Sequence, residues 1–361
     1  MDLYLLHPTT FIPQEIIDGF HSFIWTERYD DVGDFELVMP WYPGIRKKYP
    51  VGTYLGHSET NRGAVIEEGF DTTDPEGLKM FTVRGHLLEG MLHIRSVTPN
   101  RTRQLSWIMS SATPGEAAHE LVKNVMVQGN LMSQNDIIDG LNMDQYTPND
   151  ETEQEEIAIP PQTLYTAVTS LCASELLGYR IRIHPGQNPR MTFGIYKGVN
   201  REEVIFSSQL NSLVEESRID SVNEFRTTAY VFCKDNIYRE IVQAPRTSSA
   251  ARNLNRRVMV VEATDIDPFN EELPLTQNET RALLKQRGLE ALAGQKRRDY
   301  LDGLVPHYTN YVFRQHYDLG DIVSLSDQLG VNDTARVLEY IWVVDAEGKR
   351  SYPTFRSTES E

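Results

Sequence analysis

YDLGDIVSLSDQLGVNDTARVLEYIWVVDAEGKR, residues 317–350, lies over YPVGTYLGHSETNRGAVIEEGFDTTDPEGLK, residues 49–79, and this match decides how the chain is built. Tyr317 and Gly320 stand 268 positions after Tyr49 and Gly52. A three-residue insertion then moves the spacing to 271, at which Ala335, Val337, Glu339, Asp345, Glu347 and Gly348 fall on Ala64, Ile66, Glu68, Asp74, Glu76 and Gly77. Strand, turn, strand and turn recur in one order, which predicts a small β-unit used twice. Any two hairpins share Gly and Asp at their turns, so the order of the matches carries more weight than their seven identities.

Outward from the earlier copy, residues 1–98 read as strands and turns. Phe35, Leu37 and Met39 alternate with Glu36 and Val38, and Phe81 and Val83 with Thr82 and Arg84. Turn chemistry falls at Asp30-Asp31-Val32-Gly33, Trp41-Tyr42-Pro43-Gly44, Asn61-Arg62-Gly63 and Asp74-Pro75-Glu76-Gly77. This predicts a first small antiparallel β-barrel over 1–98, with Gly33 and Gly52 at turns and a positive φ at Gly33.

Residues 99–203 change period and read as an α/β domain. Thr113-Pro114-Gly115-Glu116 is a capping box with proline at the first helical position, predicting a helix from Pro114 to about Gln128 that Gly129 ends. A second helix after Pro160-Pro161 carries Leu164, Val168, Leu171 and Cys172 on one face, with Gly178 as its terminating residue. A hairpin with arms 179–184 and 191–196 follows. Strand character over 204–270 gives the first part of a second barrel. A capping box at Thr276-Gln277-Asn278-Glu279 opens a helical insertion over 271–304, and 305–361 completes the barrel with Gly320 and Gly348 at its turns. The expected class is α+β, mostly β: two related small β-barrels, an α/β unit and a helical insertion.

The length of 361 residues fits two to four units of roughly 100–200 residues each. A net charge of −17 opposes tight binding to phosphate backbones, where affinity comes from Lys and Arg displacing counterions. It suits a conduit along which DNA slides without sticking. No Lys or Arg occurs between Asn124 and Tyr179, and PNDETEQEE at 148–156 reads as a solvated acidic loop. Cys172 and Cys233 sit in apolar contexts as buried thiols, so neither a disulfide framework nor a zinc site is expected. No apolar run approaches the roughly 18 residues of a membrane span. The start, MDLYLLHPTTFIP, lacks a basic region and is interrupted at His7 and Pro8, so no signal peptide is expected and the protein reads as soluble.

No phosphate-binding GxxxxGK[ST], helix-opening GxGxxG, GxSxG elbow or HExxH motif occurs, and His119-Glu120 lacks a second histidine. No catalytic residue, metal ligand or cofactor is therefore predicted. Asp30, Asp31 and Asp34 in DDVGD could supply the paired carboxylates of a glycosidase, but Asx turn chemistry accounts for them. Asp265, Asp267 and Asn270 in TDIDPFNEE lack the central Gly and terminal Glu of a calcium loop. Arg246, Arg252, Arg256 and Arg257 are candidates for contact with acids of a neighbouring subunit. Two alternatives to a structural role stay open: a cell-wall hydrolase acting through a carboxylate such as Asp34, and a host-glycan-binding module using Trp25, Trp41 or Tyr42.

RYDDVGDFELVMP at 28–40, VIFSSQLNSLVEESRIDSVNEFRTTAYVFCK at 204–234, QRGLEAL ending at Leu292, and YDLGDIV followed by RVLEYIWVVDAEGKRSYPTF occur in an order that resembles the siphovirus minor tail proteins, the tail-hub or baseplate-hub family. The resemblance spans nearly the whole chain. It implies a fold similar to the hub of contractile-tailed phages, assembled as a ring-shaped homotrimer whose six near-equivalent β-units dock a threefold tip under a sixfold tail tube. It further implies assembly in the host cytoplasm and a place at the virion tail tip. The implied partners are the tail tube and distal tail proteins, tail-tip or fibre proteins and the tape measure protein, with phage DNA passing through during genome ejection without specific binding. Many relatives carry a further region for receptor binding or peptidoglycan cleavage. Here six residues follow Phe355, so the expectation is a structural protein and not an enzyme.

Overall fold

The computed structural model describes residues 1–73, 77–99, 105–129, 132–148, 154–210, 212–244, 252–270, 274–295, 297–305, 311–326 and 332–358. The first region holds β1 (Leu3–Leu6), β2 (Pro13–Ile17), β3 (Ser22–Arg28), β4 (Asp34–Pro40), one helical turn α1 (Ile45–Lys48), β5 (Tyr54–His57), β6 (Ala64–Val65), β7 (Glu68–Thr73) and β8 (Lys79–His86). Period-two alternation sends Phe23 and Trp25 of β3, and Phe35, Leu37 and Met39 of β4, into the interior.

The middle region holds a 3-10 segment (Leu88–Ile94), β9 (Ser96–Val97), β10 (Trp107–Ala112), α2 (Pro114–Val122), β11 (Leu141–Met143), β12 (Glu155–Ile159), β13 (Gln162–Thr163), α3 (Leu164–Glu175), β14 (Gly178–Ile183) and β15 (Met191–Tyr196). The capping box at α2 is formed: the Thr113 hydroxyl accepts from Glu116 N at 3.2 Å, and the Glu116 carboxylate accepts from Thr113 N at 2.9 Å. In place of one α-helix reaching Gln128, α2 passes into a five-residue π-helical stretch, Lys123–Val127. Gly178 does not end α3. Leu176 takes the left-handed position with φ 56°, and Gly178 opens β14, where a Cβ would sit 2.2 Å from the Tyr29 ring. A close approach, not a helix end, selects that glycine.

The last region holds β16 (Asn200–Ser207), β17 (Val214–Ser221), β18 (Thr228–Cys233), β19 (Arg239–Gln243), β20 (Val258–Ala263), α4 (Gln277–Ala293), β21 (Arg298–Leu304), β22 (Ile322–Ser326), β23 (Asn332–Asp345) and β24 (Gly348–Ser357). The strands between 228 and 263, expected in the second β-unit, instead pair with one another in the order β19-β18-β20. Their buried face, Ala229, Val231 and Val242, packs on Leu283 and Leu284 of α4. Gly288 lets the helix come close: a Cβ there would meet Val242 at 2.5 Å and Val231 at 2.9 Å. Small and β-branched residues on one parity thus fit a helix, and these strands and α4 make up one insertion.

No sheet among the described residues closes on itself as the expected barrels would: β2-β1-β5-β6 form one small sheet, and a larger open sheet joins strands of both units. Eight strands run in the order β17-β21-β24-β23-β3-β4-β8-β7, with β22 also paired to β23 and β16 to β22. A single core lies against it, joining Phe23, Trp25 and Leu37 to Phe206, Val337 and Phe355.

Candidate functional site

The sheet is built from two copies of one four-stranded pattern. In space the earlier strands run β3-β4-β8-β7 and the later ones β17-β21-β24-β23, so β17 corresponds to β3, β21 to β4, β24 to β8 and β23 to β7. Registers agree as well: Tyr54↔Val65 and Leu55↔Ala64 in the first copy become Ile322↔Arg336 and Val323↔Ala335 in the second. At the turn, Gly52 N donates to Ile66 O at 2.7 Å and Ile66 N to Thr53 O at 2.8 Å. Gly320 N donates to Val337 O at 2.8 Å and Val337 N to Asp321 O at 2.9 Å. Gly52 and Gly320 share the left-handed backbone, with φ of 90° and 88°. The copies differ where β1 lies antiparallel to β5 while β16 lies parallel to β22.

The copies meet where β23 pairs antiparallel with β3, placing Trp342 opposite Trp25 and Tyr340 opposite Glu27. The His57 ring stands edge-on between the two indoles, with centroids 4.9 Å from Trp25 and 5.0 Å from Trp342. Behind it lies a buried charge cluster: Glu27, Arg62 and Glu89 are each at most 1 % exposed. Arg62 Nη2 lies 2.7 Å from Glu89 Oε1, and Arg62 Nη1 4.0 Å from Glu27 Oε2. The Thr60 hydroxyl donates to Glu27 Oε1 at 2.6 Å, and Arg314 donates to Glu27 Oε2. Glu89 also accepts from the Ile181 backbone N–H of β14. Sequence reasoning missed all of these. Glu27 shared the face of Phe23 and Trp25, which was the available signal, whereas Arg62 sat in an Asn-Arg-Gly turn that reads as surface.

Burial pushes the Glu27 carboxyl up, but Arg314, Arg62 and the Thr60 hydroxyl together overturn that and hold it at about 2. Burial alone dominates at His57 and pulls it down to about 4 from 6.5. The unfolded chain therefore binds a proton at His57 that the folded chain refuses between those values. Its contribution to stability is complete above pH 6.5 and is lost as pH falls toward 4, about 3 kcal/mol in all. Urea titrations of His57→Phe across that window are expected to show a flatter pH dependence than the parent protein; equal slopes would refute the assignment.

The residues singled out from sequence are dispersed. Gly348 has φ 112° in the β23–β24 turn, whereas Gly33 is not left-handed. Gly33 is instead a close approach, since a Cβ would lie 2.4 Å from Thr26 O and 2.9 Å from Leu87 Cδ2. The DDVGD acids point to different partners: Asp34 to Arg28 at 2.5 Å, Asp31 to the Tyr165 hydroxyl at 2.8 Å and Asp30 to Arg356 at 3.1 Å. Asp265 pairs with Arg287 and Asp267 with Lys234. Among the described residues no group of three or more metal-ligand types converges. Trp25 is buried in the core, while Trp41 and Tyr42 are exposed. Arg246 lies outside the described residues. Arg252 is exposed, Arg256 donates to the Tyr230 hydroxyl at 3.2 Å, and Arg257 donates to Phe225 O at 3.0 Å. Both cysteines are free and buried. No helix among the described residues is long and apolar enough to cross a membrane.

A β-pattern doubled in this way has the fold of phage tail proteins of known structure. The 43 kDa tail protein of prophage MuSo2 from Shewanella oneidensis matches 100 % of this chain and 99 % of its own at 10 % identity, with a TM-score of 0.60. The tail protein from Neisseria meningitidis MC58 matches 99 % of this chain and 97 % of its own at 12 % identity, with a TM-score of 0.55. The chain belongs to the Siphovirus ReqiPepy6 Gp37-like protein family, which matches residues 4–355. No curated protein matches the chain by sequence.

Proposed function

We propose that this chain is a hub of the tail, three copies closing into a ring that joins a sixfold tail tube to a threefold tip and leaves a channel for DNA. The observation that carries this reading is how the two copies of the pattern are joined. β23, at one end of the second copy, pairs with β3, at the start of the first. That leaves β7 and β17 as the outer strands of the sheet, and these are the counterparts of β23 and β3. The junction made inside the chain is thus available again between chains, head to tail, and a heterologous contact of this kind forms a ring when its rotation closes. The place of β7 and β17 favours it, because among the described residues no strand of the chain lies on the outer side of either, and an edge strand is a template for pairing with another chain. Three chains supply six near-equivalent units for docking on a sixfold tube.

On this reading the neighbours are tail tube and distal tail proteins on one side and tail-tip, fibre or tape measure proteins on the other. The −17 charge suits passage of DNA without retention. The exposed Arg252 takes part in a secondary subunit contact, and no residue performs covalent chemistry. Light scattering is expected to give three times the chain mass of 41.3 kDa, with a threefold axis and six lobes in electron-microscope class averages. A monomer at tens of micromolar, or closure about another axis, would overturn the proposal.

A further inference from the structure

We infer that the outer face of the β19-β18-β20 sheet is a docking surface for one amphipathic helix of another protein, with acidic residues beside its apolar stripe. Rows across this sheet run Ile241–Tyr230–Val260 and Arg239–Phe232–Glu262, and residues paired in a row share a face. The alternate residues, Ala229, Val231 and Val242, are the ones that pack on α4. The first row therefore lays an apolar band on the side away from that helix. Ile241 and Val260 are 58 % and 60 % exposed, and none of Tyr230, Phe232, Ile241 and Val260 belongs to a buried core of the chain. Where one face meets polar surroundings a strand alternates, as β14 does with Tyr179, Ile181 and Ile183 against Arg180 and Arg182. β18 and β20 do not: Ala229 to Cys233 and Val258 to Val261 are unbroken apolar runs, and the two strands pair in parallel. Parallel strands with such runs are covered on both faces, and α4 covers one.

The size of the face selects a helix. Three strands spaced about 4.8 Å apart span about 10 Å, the diameter of one helix, and the 17-residue α4 lies on the opposite side in that way. The helix comes from another protein, because α2, α3 and α4 already bury their apolar sides in this chain's own cores. Charge at the margins sets its flanks. Arg239 is exposed and has no ion-pair partner among the described residues. Arg256 extends over the Tyr230 ring, 6.0 Å from its centroid, and donates to the hydroxyl at 3.2 Å. Glu262 is the one acid of the two rows. Two bases to one acid reverse the balance of the whole chain, which has 52 acids to 35 bases, so the complementary helix is acidic. The surface belongs to the insertion, away from the outer strands β7 and β17, and it stands independently of the ring reading.

The test titrates the full-length protein with a synthetic helical peptide of about 18 residues, bearing leucines at i, i+3, i+4 and i+7 and glutamates along both flanks, and with the same peptide carrying lysines there. The glutamate peptide is expected to bind about tenfold tighter or more than the lysine peptide, and Arg239→Glu to cut that preference to about threefold or less. Ile241→Lys or Val260→Lys should weaken binding more than about tenfold. Both positions are exposed, so unchanged urea unfolding separates lost binding from lost fold. In assembled tails, a photo-crosslinking amino acid in place of Val260 should join this chain to another protein at a helix of the stated composition. No binding of the glutamate peptide, equal binding of the two peptides, or Ile241→Lys and Val260→Lys variants that bind like the parent would overturn the docking surface. Crosslinks only to a second copy of this chain, to lipid or to nothing would overturn it as well.

Discussion

Replacing Arg62 with methionine is expected to lower the unfolding free energy by about 3–5 kcal/mol, a large share of the roughly 5–15 kcal/mol that holds a domain together. The guanidinium is 1 % exposed and lies between two carboxylates that are as deeply buried. Glu27 would keep Arg314 and Thr60, but Glu89 would keep only backbone donors such as Ile181 N–H. Burial already pushes the Glu89 carboxyl up, and removing Arg62, which opposes that, would push it further. Arg62 Nε and Glu89 Oε2 have no hydrogen-bond partner among the described residues, so the pair is not a large net stabiliser over an apolar alternative. The loss on breaking it comes from the stranded charge. Adding Glu89→Gln to Arg62→Met should therefore recover about 1–3 kcal/mol relative to the summed single effects, measured as a double-mutant cycle in urea. Additive losses, or a single-variant cost below about 1 kcal/mol, would show that the site relaxes or hydrates. The cluster ties the segment after β5 to β3, to β14 and, through Arg314, to the second copy, across the junction of the two copies. A ring needs the angle at that junction held, because a small error at each junction multiplies around the circle.

How much of this was legible in the sequence depends on the range of the interaction. The two capping boxes at Thr113 and Thr276 are closed within four residues, and both form as the sequence predicts. The doubled turn at Tyr49-Gly52 and Tyr317-Gly320 was visible because its demand for a left-handed glycine is local. Gly33 and Gly178 were visible as glycines but for another reason than the one read: each is a close approach, Gly33 to Thr26 O and Leu87 and Gly178 to Tyr29. Strands β18 and β20 carried a correct strand pattern and β19 was not foreseen; pattern alone does not name the partner, and α4 packs on the sheet they form. The same limit hid the site. Glu27 shares the parity of Phe23 and Trp25, but Arg62, Glu89 and Arg314 look like ordinary surface charges until the topology brings them to it, and the counterpart relation of β17 to β3 appears only once the registers can be followed across the sheet.

Gly320→Ala should cost about 3–5 kcal/mol and Gly52→Ala about 1–2 kcal/mol, although the two glycines occupy the same turn in the two copies. Their φ values, 88° and 90°, impose the same left-handed strain on an L-residue. What differs is the space. A Cβ on Gly52 meets nothing within 4 Å, whereas one on Gly320 would lie 2.2 Å from Tyr29 Cε2. Tyr29 cannot swing away cheaply: its ring is buried, and its hydroxyl donates to Leu176 O at 2.9 Å and accepts from Gly198 N at 3.2 Å. Urea unfolding of the two variants measures the difference directly, and Tyr29→Leu should narrow it by removing the obstructing ring. Equal costs would mean that the clash relaxes and that backbone strain alone governs both turns. A larger loss at Gly320 would locate the asymmetry between the copies: the first turn faces open space, while the second is clamped between Tyr29 and the Gly198 backbone, beside the strand that carries the in-chain seam. Gly320 N donates to Val337 O, so displacing this turn shifts β23 and with it the pairing to β3. If the chain closes into the proposed ring, the variant should for that reason weaken assembly at concentrations where the chain is still folded, which Gly52→Ala should not.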